Sequence, residues 1–348
     1  DQFGLETIER AVNWLTIKES KASFAIESEG KEEDRIRRLA RAMSTHCGKI
    51  DSALTEEGML MIQRAIMSEK MVGTRLGIRR SPVFVGHTNS LFEPVIDYLA
   101  PHHDTVAEMM EGLRSFEQRT RGQSPLLRAA ALSFGLVYIH PLGDGNGRLS
   151  RFLINDILRR DGFLPAPVIL PVSAVISENA MRRAAYDTAL EHLSRPLMDR
   201  MNSVCKFGPT VQYEDGVESN LHVADWNRGL ATWRYADLTV QSQYLVDVIR
   251  RSIQHGLKEE AVYLLRYDIA RDSLKEIIEG RDEDYATIIR SLVTNMKVSG
   301  KLRKTYPGVF SDDNLTMRVE RAVLKAFELL PDDNDDDAVV PRLDVVPR

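Results

Sequence analysis

The chain has 348 residues, enough for about two domains, and its apolar share of 43% and charged share of 28% are ordinary for a globular protein. Its formal net charge of −5 argues against sequence-independent nucleic-acid binding, which needs a basic surface. The only two cysteines, Cys47 and Cys205, lie far apart in sequence, which argues against a disulfide framework. The sequence shows no signal-peptide pattern and no apolar run of ~18–20 residues, so a cytoplasmic protein with no membrane contact is expected.

Helical periodicity dominates the first part of the chain. Apolar residues recur three or four positions apart over 31–46 and again over 55–68, with charged residues between them, which predicts two amphipathic helices. Glycine and proline then interrupt residues 73–101 too often for a helix. Within that interval, residues 81–86 read as one arm of a β-hairpin.

Further helices are predicted in the middle of the chain. One covers residues 104–117, with Asp104 as its expected N-cap. Residues 125–139 are apolar on nearly all sides, which predicts a buried helix. A third helix starts near Gly147, and a fourth covers 178–193.

Composition divides the chain into five parts, and the predicted fold class is mainly α with a small β-hairpin. The parts are an N-terminal helical region over 1–70, a core domain over 71–205, a linker or hairpin over 206–225, a smaller helical domain over 226–330 and a disordered acidic tail over 331–348.

A glycine-rich loop over 140–148, HPLGDGNGR, separates the buried helix from an amphipathic one. Gly143, Gly145 and Gly147 let a ligand approach the backbone closely, and the helix that follows offers free N–H groups to an anion. No Gly-Lys-Ser/Thr follows, so the loop is not a P-loop, and no strand precedes it, so it is not a dinucleotide fingerprint. The loop is therefore predicted to cradle a phosphate.

The polar residues of this loop suit phosphate chemistry. Asn146 adds an amide donor, while Arg148 and Arg151 share one helix face and present two guanidinium groups. Asp144 would repel a phosphate unless a Mg²⁺ ion lay between them. His140 titrates near neutrality and is a candidate general base.

Residues 140–151 resemble the signature of the Fic domain family, His-x-Phe-x-Asp/Glu-Gly-Asn-Gly-Arg-x-x-Arg. Every polar and glycine position matches, and Leu142 stands where the family has Phe. The similarity extends over about residues 20–200, and residues 77–101 look like the family's flap. It implies a Fic-type helical bundle with a β-hairpin flap, followed by a helical or winged-helix-like C-terminal domain.

The resemblance implies a protein adenylyltransferase (an AMPylator), which transfers AMP from ATP to a Ser, Thr or Tyr hydroxyl of a target protein. His140 would accept the proton of that hydroxyl, and Asp144 would hold Mg²⁺ against the phosphates. The anion hole and the rest of the ATP site would be formed by Gly145, Asn146, Gly147, Arg148 and Arg151. Related Doc proteins, which phosphorylate, carry Lys where this chain has Gly147, and this difference favours adenylyl transfer.

The resemblance also implies roles outside the loop. The flap would dock the target peptide by strand pairing, through Val83, Phe84, Val85 and Gly86. Asn179 and Tyr186 lie where the family builds its adenine pocket.

Residues 23–28, SFAIES, are similar to the family's inhibitory motif, Ser/Thr-x-x-x-Glu-Gly/Asn. Ser23 and Glu27 match this motif, and Ser28 stands in the place of Gly or Asn. Glu27 would pair with Arg151 and thereby exclude the γ-phosphate of ATP. Glu57 is a rival for the inhibitory role, but Glu27 is favoured.

Other functions stay open. With Glu27 orienting a water, the same site could work as a deAMPylase that hydrolyses AMP from modified proteins. Residues 286–304 predict a helix followed by a basic segment, so the chain could instead be a nucleotide-sensing regulator that binds DNA through its C-terminal domain. The expected partners are a protein substrate, ATP, and as candidates DNA and a second copy in a homodimer.

Overall fold

The computed structural model describes residues 5–27, 33–67 and 76–329. Ser28 and the predicted tail over 331–348 lie outside these residues. Most of the described chain is helical, and its strands form two antiparallel pairs, so the mainly α prediction is confirmed. Among the described helices, none has the length and apolar character needed to cross a membrane.

The helices and strands follow one another in chain order. The first are α1 (Leu5–Ile26), α2 (Glu33–His46), α3 (Glu56–Ile66), β1 (Phe84–Thr88), β2 (Pro94–Leu99), α4 (Val106–Arg119), α5 (Pro125–Ile139), α6 (Asn146–Arg160), α7 (Val172–Ile176) and α8 (Ala180–Met201). They continue with β3 (Cys205–Gln212), β4 (Glu218–Val223), α9 (Asn227–Arg234), α10 (Thr239–Arg251), α11 (Lys258–Lys275), α12 (Asp282–Asn295), α13 (Gly300–Thr305), α14 (Pro307–Phe310) and α15 (Asp313–Ala326).

Helices α5 and α6 pack along each other at the core of the compact unit formed by residues 12–257. Helix α5 begins with Pro125 in its first turn, where the missing N–H costs no helical hydrogen bond. Leu132 and Leu136 of α5 and Leu153 of α6 are fully buried, as the apolar sequence predicts. Leu127 is 54% exposed, so the first turn of α5 reaches solvent. The two buried helices give the loop between them a rigid support.

Asp104 is not the N-cap of α4, contrary to the prediction. Residues 103–105 form one turn of 3₁₀ helix, and α4 begins only at Val106. The residue that caps the turn is His102, whose Nδ1 accepts the N–H of Asp104 at 3.3 Å. The acidic side chain of Asp104 is exposed instead.

The chain has two compact units: a larger one of residues 12–257, and a second one made of the described residues among 1–11 and 258–348. Of the two predicted alternatives for residues 206–225, the structure has the hairpin, formed by β3 and β4 with a turn at Gly216, whose φ is +74°. The hairpin lies within the larger unit rather than between two units. Helix α10 packs on α5 and α8 through a buried apolar face that includes Leu245 and Val248, so it belongs to the larger unit.

The second unit is helical, with its own apolar core. This core is formed mainly by α11, α12 and α15, and its buried members include Ala270, Leu274, Ile288, Ile289, Leu292, Val319 and Val323. Within residues 258–329 the structure has no strand, so the β wing of a winged helix is not formed there.

Replacement of Leu132 tests the buried packing of α5. We expect Leu132→Ala to lower the free energy of unfolding by about 2–5 kcal/mol, because it removes methyl groups and leaves a cavity. Leu127→Ala, in the exposed first turn of the same helix, should change it by less than about 0.5 kcal/mol. Urea denaturation of both variants measures the difference, and equal losses would contradict the described burial.

Candidate active site

His140 ends helix α5 in the left-handed region, with φ of 52° and ψ of 57°, and its N–H donates to Leu136 O at 2.9 Å. Pro141 follows and disfavours a further helical turn. The Nδ1 of His140 lies 3.2 Å from Val137 O, to which it can donate a proton. In this tautomer Nε2 keeps its lone pair and is the atom that can accept a proton.

The imidazole of His140 is uncharged near neutral pH. Removal of water by the surrounding protein lowers its pKa to about 4, and the positive charge of Arg79 acts in the same direction. The carboxylates of Glu27 and Asp144 oppose this shift without cancelling it. A neutral imidazole is the form that a general base requires.

Asn146 closes the loop with its side chain. Its Oδ1 accepts the N–H of Leu142 at 2.9 Å, and its Nδ2 donates to Leu142 O at 2.8 Å. One of the two N–H groups of the amide is therefore engaged within the loop itself, and a contact of the other with phosphate stays a prediction. The backbone N–H groups of the first turn of α6 are also placed for an anion; this helix begins after Gly145, whose φ is +89°.

Two buried arginines of α6 contact one carboxylate. Arg148 Nε lies 2.9 Å from Glu27 Oε2, and Arg151 Nη2 lies 2.6 Å from Glu27 Oε1. The side chains of Arg148 and Arg151 are 0% and 3% exposed, whereas that of Glu27 is 23% exposed. Asp144 adds a second carboxylate, with Oδ1 3.0 Å from Arg148 Nη2. The rival Glu57 lies exposed in the first turn of α3.

One face of α1 brings three polar side chains to this site, at a spacing of four residues. Ser23 Oγ accepts from Arg151 Nε at 2.7 Å, one turn before Glu27. Two turns before Glu27, the buried Glu19 accepts from the backbone N and the Oγ of Ser173 at 2.6 and 2.5 Å. Burial raises the pKa of Glu19 to about 7. Sequence reasoning missed Glu19, although its spacing from Ser23 and Glu27 was a usable signal.

Gly147 is packed directly against Glu27. A Cβ at this position would lie 2.4 Å from Glu27 Oε1 and 3.0 Å from Arg151 Nη1. The first of these distances is far below ordinary van der Waals contact, so a side chain at position 147 would displace the carboxylate.

The flap is the β1–β2 hairpin, with a register shift between Val85 and Gly86. A Cβ on Gly86 would come within 2.2 Å of the carbonyl oxygen of Val95, so glycine is needed there. Val85 is 51% exposed, and within the described chain the second edge of β1 pairs with no strand. Phe84 is half-buried, with its ring edge-on to Phe207 of β3 at 5.6 Å, and Val83 O accepts from Ala100 N before the strand begins.

The two predicted adenine-pocket residues have different surroundings. Asn179 is exposed and caps α8 by accepting the N–H of Arg182 at 3.0 Å. Tyr186 is buried between Phe134 and Tyr244, with ring centroids 6.4 and 6.0 Å away. A contact of either residue with adenine stays a prediction.

Two further residues around the loop were missed by sequence reasoning. Gln63 of α3 donates through Nε2 to Asp144 O at 2.8 Å and accepts from Gly77 N at 2.9 Å. Arg79 is 1% exposed and donates through Nε to His140 O at 2.7 Å. Both act on backbone atoms of distant segments, and no local sequence pattern marks such contacts.

The donor set at the loop fits Mg²⁺ that arrives with a nucleotide. Mg²⁺ in such sites keeps one or two carboxylates and takes its other ligands from phosphates and water. Asp144 is a partly exposed carboxylate just before the first turn of α6, which meets that requirement. Among described residues, three side chains with metal-ligand atoms converge only at His102, His103 and Asp104, where the two imidazole rings stack at 4.1 Å outside this loop.

Comparison with known proteins identifies the domain. Residues 53–158 match the family model described as Fic/DOC family. The protein adenylyltransferase fic-1 of Caenorhabditis briggsae is 41% identical over 97 residues, which cover 27% of this chain and 17% of that protein. The fic-1 adenylyltransferase of Caenorhabditis elegans is 38% identical over 96 residues, with coverages of 27% and 17%. The chain thus matches about a sixth of the length of these curated relatives.

Two solved structures show a distant similarity. A Fic domain containing signaling protein from Bacteroides thetaiotaomicron is 17% identical with a TM-score of 0.41, and the match covers 74% of this chain and 94% of that one. A Fic family protein from Desulfovibrio desulfuricans is 19% identical with a TM-score of 0.45, with coverages of 90% and 74%. The family match is confined to residues 53–158, and within it residues 140–151 hold the complete set of polar and glycine positions of the Fic signature.

Proposed function

We propose that this chain is an ATP-dependent protein adenylyltransferase whose resting state is autoinhibited by Glu27. The observation that carries the proposal is the loop between α5 and α6, which has the neutral imidazole of His140 at one end and leads at the other into the helix that holds two buried arginines. The relatives named as protein adenylyltransferases, at 38–41% identity, support the same reaction class.

The chemistry assigned to the loop is a nucleotidyl transfer. Nε2 of His140 accepts the proton of a target hydroxyl while the hydroxyl oxygen bonds to the α-phosphorus of ATP. The bond from that phosphorus to the bridging oxygen breaks, and pyrophosphate leaves with the electron pair. Bound beside Asp144, Mg²⁺ would offset negative charge on the phosphates.

Positive charge for this step comes from the protein as well. The first turn of α6 offers backbone N–H groups and the positive end of the helix dipole. Arg148 and Arg151 supply guanidinium groups that bind phosphate oxygens in a fork. Because both are buried, their charges are weakly screened by solvent and act strongly on a developing negative charge.

Autoinhibition would follow from competition between Glu27 and ATP for those guanidinium groups. Each oxygen of Glu27 lies against a different arginine, at 2.9 and 2.6 Å. A terminal phosphate of ATP cannot occupy the same donors, and the carboxylate would repel it. Ser23, Glu19 and Arg183, which donates to Ile26 O at 2.7 Å, hold the end of α1 in this position.

Target docking is assigned to the flap. The free edge of β1 around Val85 and Gly86 can accept an extended peptide as an added strand. Phe84 faces β3, so its contribution is to steady the hairpin from behind.

Replacement of the base tests the reaction. In a background that carries Glu27→Gly, His140→Ala should reduce AMP transfer by about 10²–10⁴-fold, because the hydroxyl loses its proton acceptor. ATP should still bind, since the arginines are retained. Incorporation of labelled AMP and calorimetric titration with ATP measure the two effects, and transfer at an unreduced rate would rule out His140 as the base.

The pH dependence of transfer gives a second test. The active form of His140 is neutral, so activity is lost as pH falls through its folded-state pKa. Because burial lowers that pKa to about 4, kcat/KM should stay level well below the ordinary histidine value of about 6.5 and decline only as pH approaches about 4. A decline centred near the ordinary value would show that the imidazole is solvated.

Autoinhibition is tested by replacing Glu27 and, separately, Glu57 with glycine. We expect Glu27→Gly to raise AMP incorporation about tenfold or more, equivalent to about 1.4 kcal/mol, because both arginines become available to ATP. Glu57→Gly is the matched control, since Glu57 is exposed on α3 and the same backbone change is made there. Activation by Glu57→Gly alone would assign the inhibitory role to the rival residue, and no activation by either would remove the autoinhibition.

The other roles stay predictions. Hydrolysis of AMP from a modified target would appear as loss of the AMP mass from that protein when enzyme is added without ATP. DNA binding through residues 286–304, where Lys301, Arg303 and Lys304 are exposed, would appear as a salt-dependent gel shift. A homodimer would appear in light scattering.

A further inference from the structure

The segment just before the flap runs alongside the catalytic loop. Arg79 N donates to Pro141 O at 2.9 Å, and Gly143 N donates to Gly77 O at 3.2 Å. Ile78 and Leu142 form an isolated antiparallel bridge between them. These contacts bring the side chain of Arg79 to the point where α5 ends.

The guanidinium of Arg79 donates four hydrogen bonds, all to backbone carbonyl oxygens. Two acceptors lie at the end of α5: His140 O at 2.7 Å from Nε, and Ile139 O at 3.3 Å from Nη2. The other two lie at the flap: Ser81 O at 3.1 Å from Nη1, and Pro101 O at 2.6 Å from Nη2. Ser81 precedes β1 and Pro101 follows β2, so one side chain contacts both ends of the hairpin and the base-bearing residue.

Arginine is the only side chain that can make this set of contacts. Its planar fork has five N–H donors pointing in fixed, different directions, whereas lysine has three on a single atom. Arg79 is 1% exposed, and burial lowers its pKa to about 10, which still leaves it charged at neutral pH. Loss of the fork would leave buried carbonyl groups without a donor, which is destabilising.

The contacts also bear on the conformation of His140. A residue other than glycine in the left-handed region is strained and persists only where the surroundings hold it. The hydrogen bonds from His140 N to Leu136 O and from Arg79 Nε to His140 O fix the peptide groups on both sides of this residue.

We propose that Arg79 is a positioning residue that holds His140 and both ends of the flap in one rigid arrangement, so that the docked target hydroxyl meets the base at a fixed distance. This inference rests on the proposed function. The charge of Arg79 has a second effect, on the protonation of His140. Three charged groups act on this imidazole: the positive Arg79 favours its neutral form, whereas the negative Glu27 and Asp144 favour its protonated form.

Two substitutions separate the geometric effect from the charge effect. In the Glu27→Gly background, Arg79→Lys keeps a positive charge and loses the fork, whereas Arg79→Met loses both. Arg79→Lys should lower kcat/KM for the protein target by about 10²-fold, since small misplacements of reacting groups have effects of that size. Its KM for ATP should stay at the background value, because the α6 arginines are untouched.

The charge effect is measured by an NMR titration of His140. In Arg79→Lys the pKa of His140 should remain low, near its value in the parent protein. In Arg79→Met that pKa should rise, and the acid limb of the pH–rate profile should move up with it. A residue that served only to stabilise the fold would not move this titration selectively.

Arg128 provides the matched control. It is 2% exposed, lies in the first turn of α5 far along the helix from His140, and contacts Glu117 O and Asp161. Arg128→Lys and Arg128→Met should lower the melting temperature without moving the His140 titration or the ratio of target KM to ATP KM. Equal changes in those two readouts for the Arg79 and Arg128 variants would overturn the proposal.

Failure of the proposed function has a different signature. If Glu27→Gly alone transfers no AMP, the adenylyltransferase assignment fails, whereas the His140 titration and hydrogen exchange at Ala100 N–H and Gly143 N–H still report on Arg79. Faster exchange at both amides in folded Arg79→Lys supports the coupling, and unchanged exchange with an unchanged titration in Arg79→Met overturns it. If Arg79→Met does not fold, the exchange and KM readouts of Arg79→Lys decide.

Discussion

Two guanidinium groups are buried at the start of α6, and their need for a negative partner organises the structure around them. Arg148 and Arg151 are almost completely removed from water, and an uncompensated buried charge is strongly destabilising. The carboxylate of Glu27 meets both of them, with one oxygen on each. Burial of these two charges therefore depends on compensating anions, and in this structure the carboxylates of Glu27 and Asp144 supply them.

The surrounding fold holds the loop before these arginines in a fixed conformation. Helices α5 and α6 are buried over most of their length, so the loop between them has ends that cannot move apart. Asn146 uses its amide oxygen and one amide N–H to close the loop on Leu142, and Gln63 joins Asp144 to the segment that leads into the β1–β2 hairpin. These two polar side chains thus hold the backbone of the loop in place at the start of α6.

The sequence predicts most of the helices because their apolar periodicity is local, and it predicts the loop because its residues are contiguous. It does not predict contacts that join distant segments. Arg79 and Glu19 read as ordinary surface charges until their partners, at His140 and Ser173, are brought beside them by folding. The place of α10 is a further contact of this kind: its apolar face predicts that the helix is covered, but the sequence does not show that α5 and α8 cover it. Asp104 was misplaced because one 3₁₀ turn delays the start of α4.

The contact between Gly147 and Glu27 limits which residues can stand at position 147. The Cα of Gly147 is so close to the Glu27 carboxylate that even one added methyl group would overlap it. A side chain at position 147 therefore requires the Glu27 carboxylate to move from its place between the two arginines. One substitution at this glycine would thus change the charge balance of two buried guanidinium groups without replacing any charged residue.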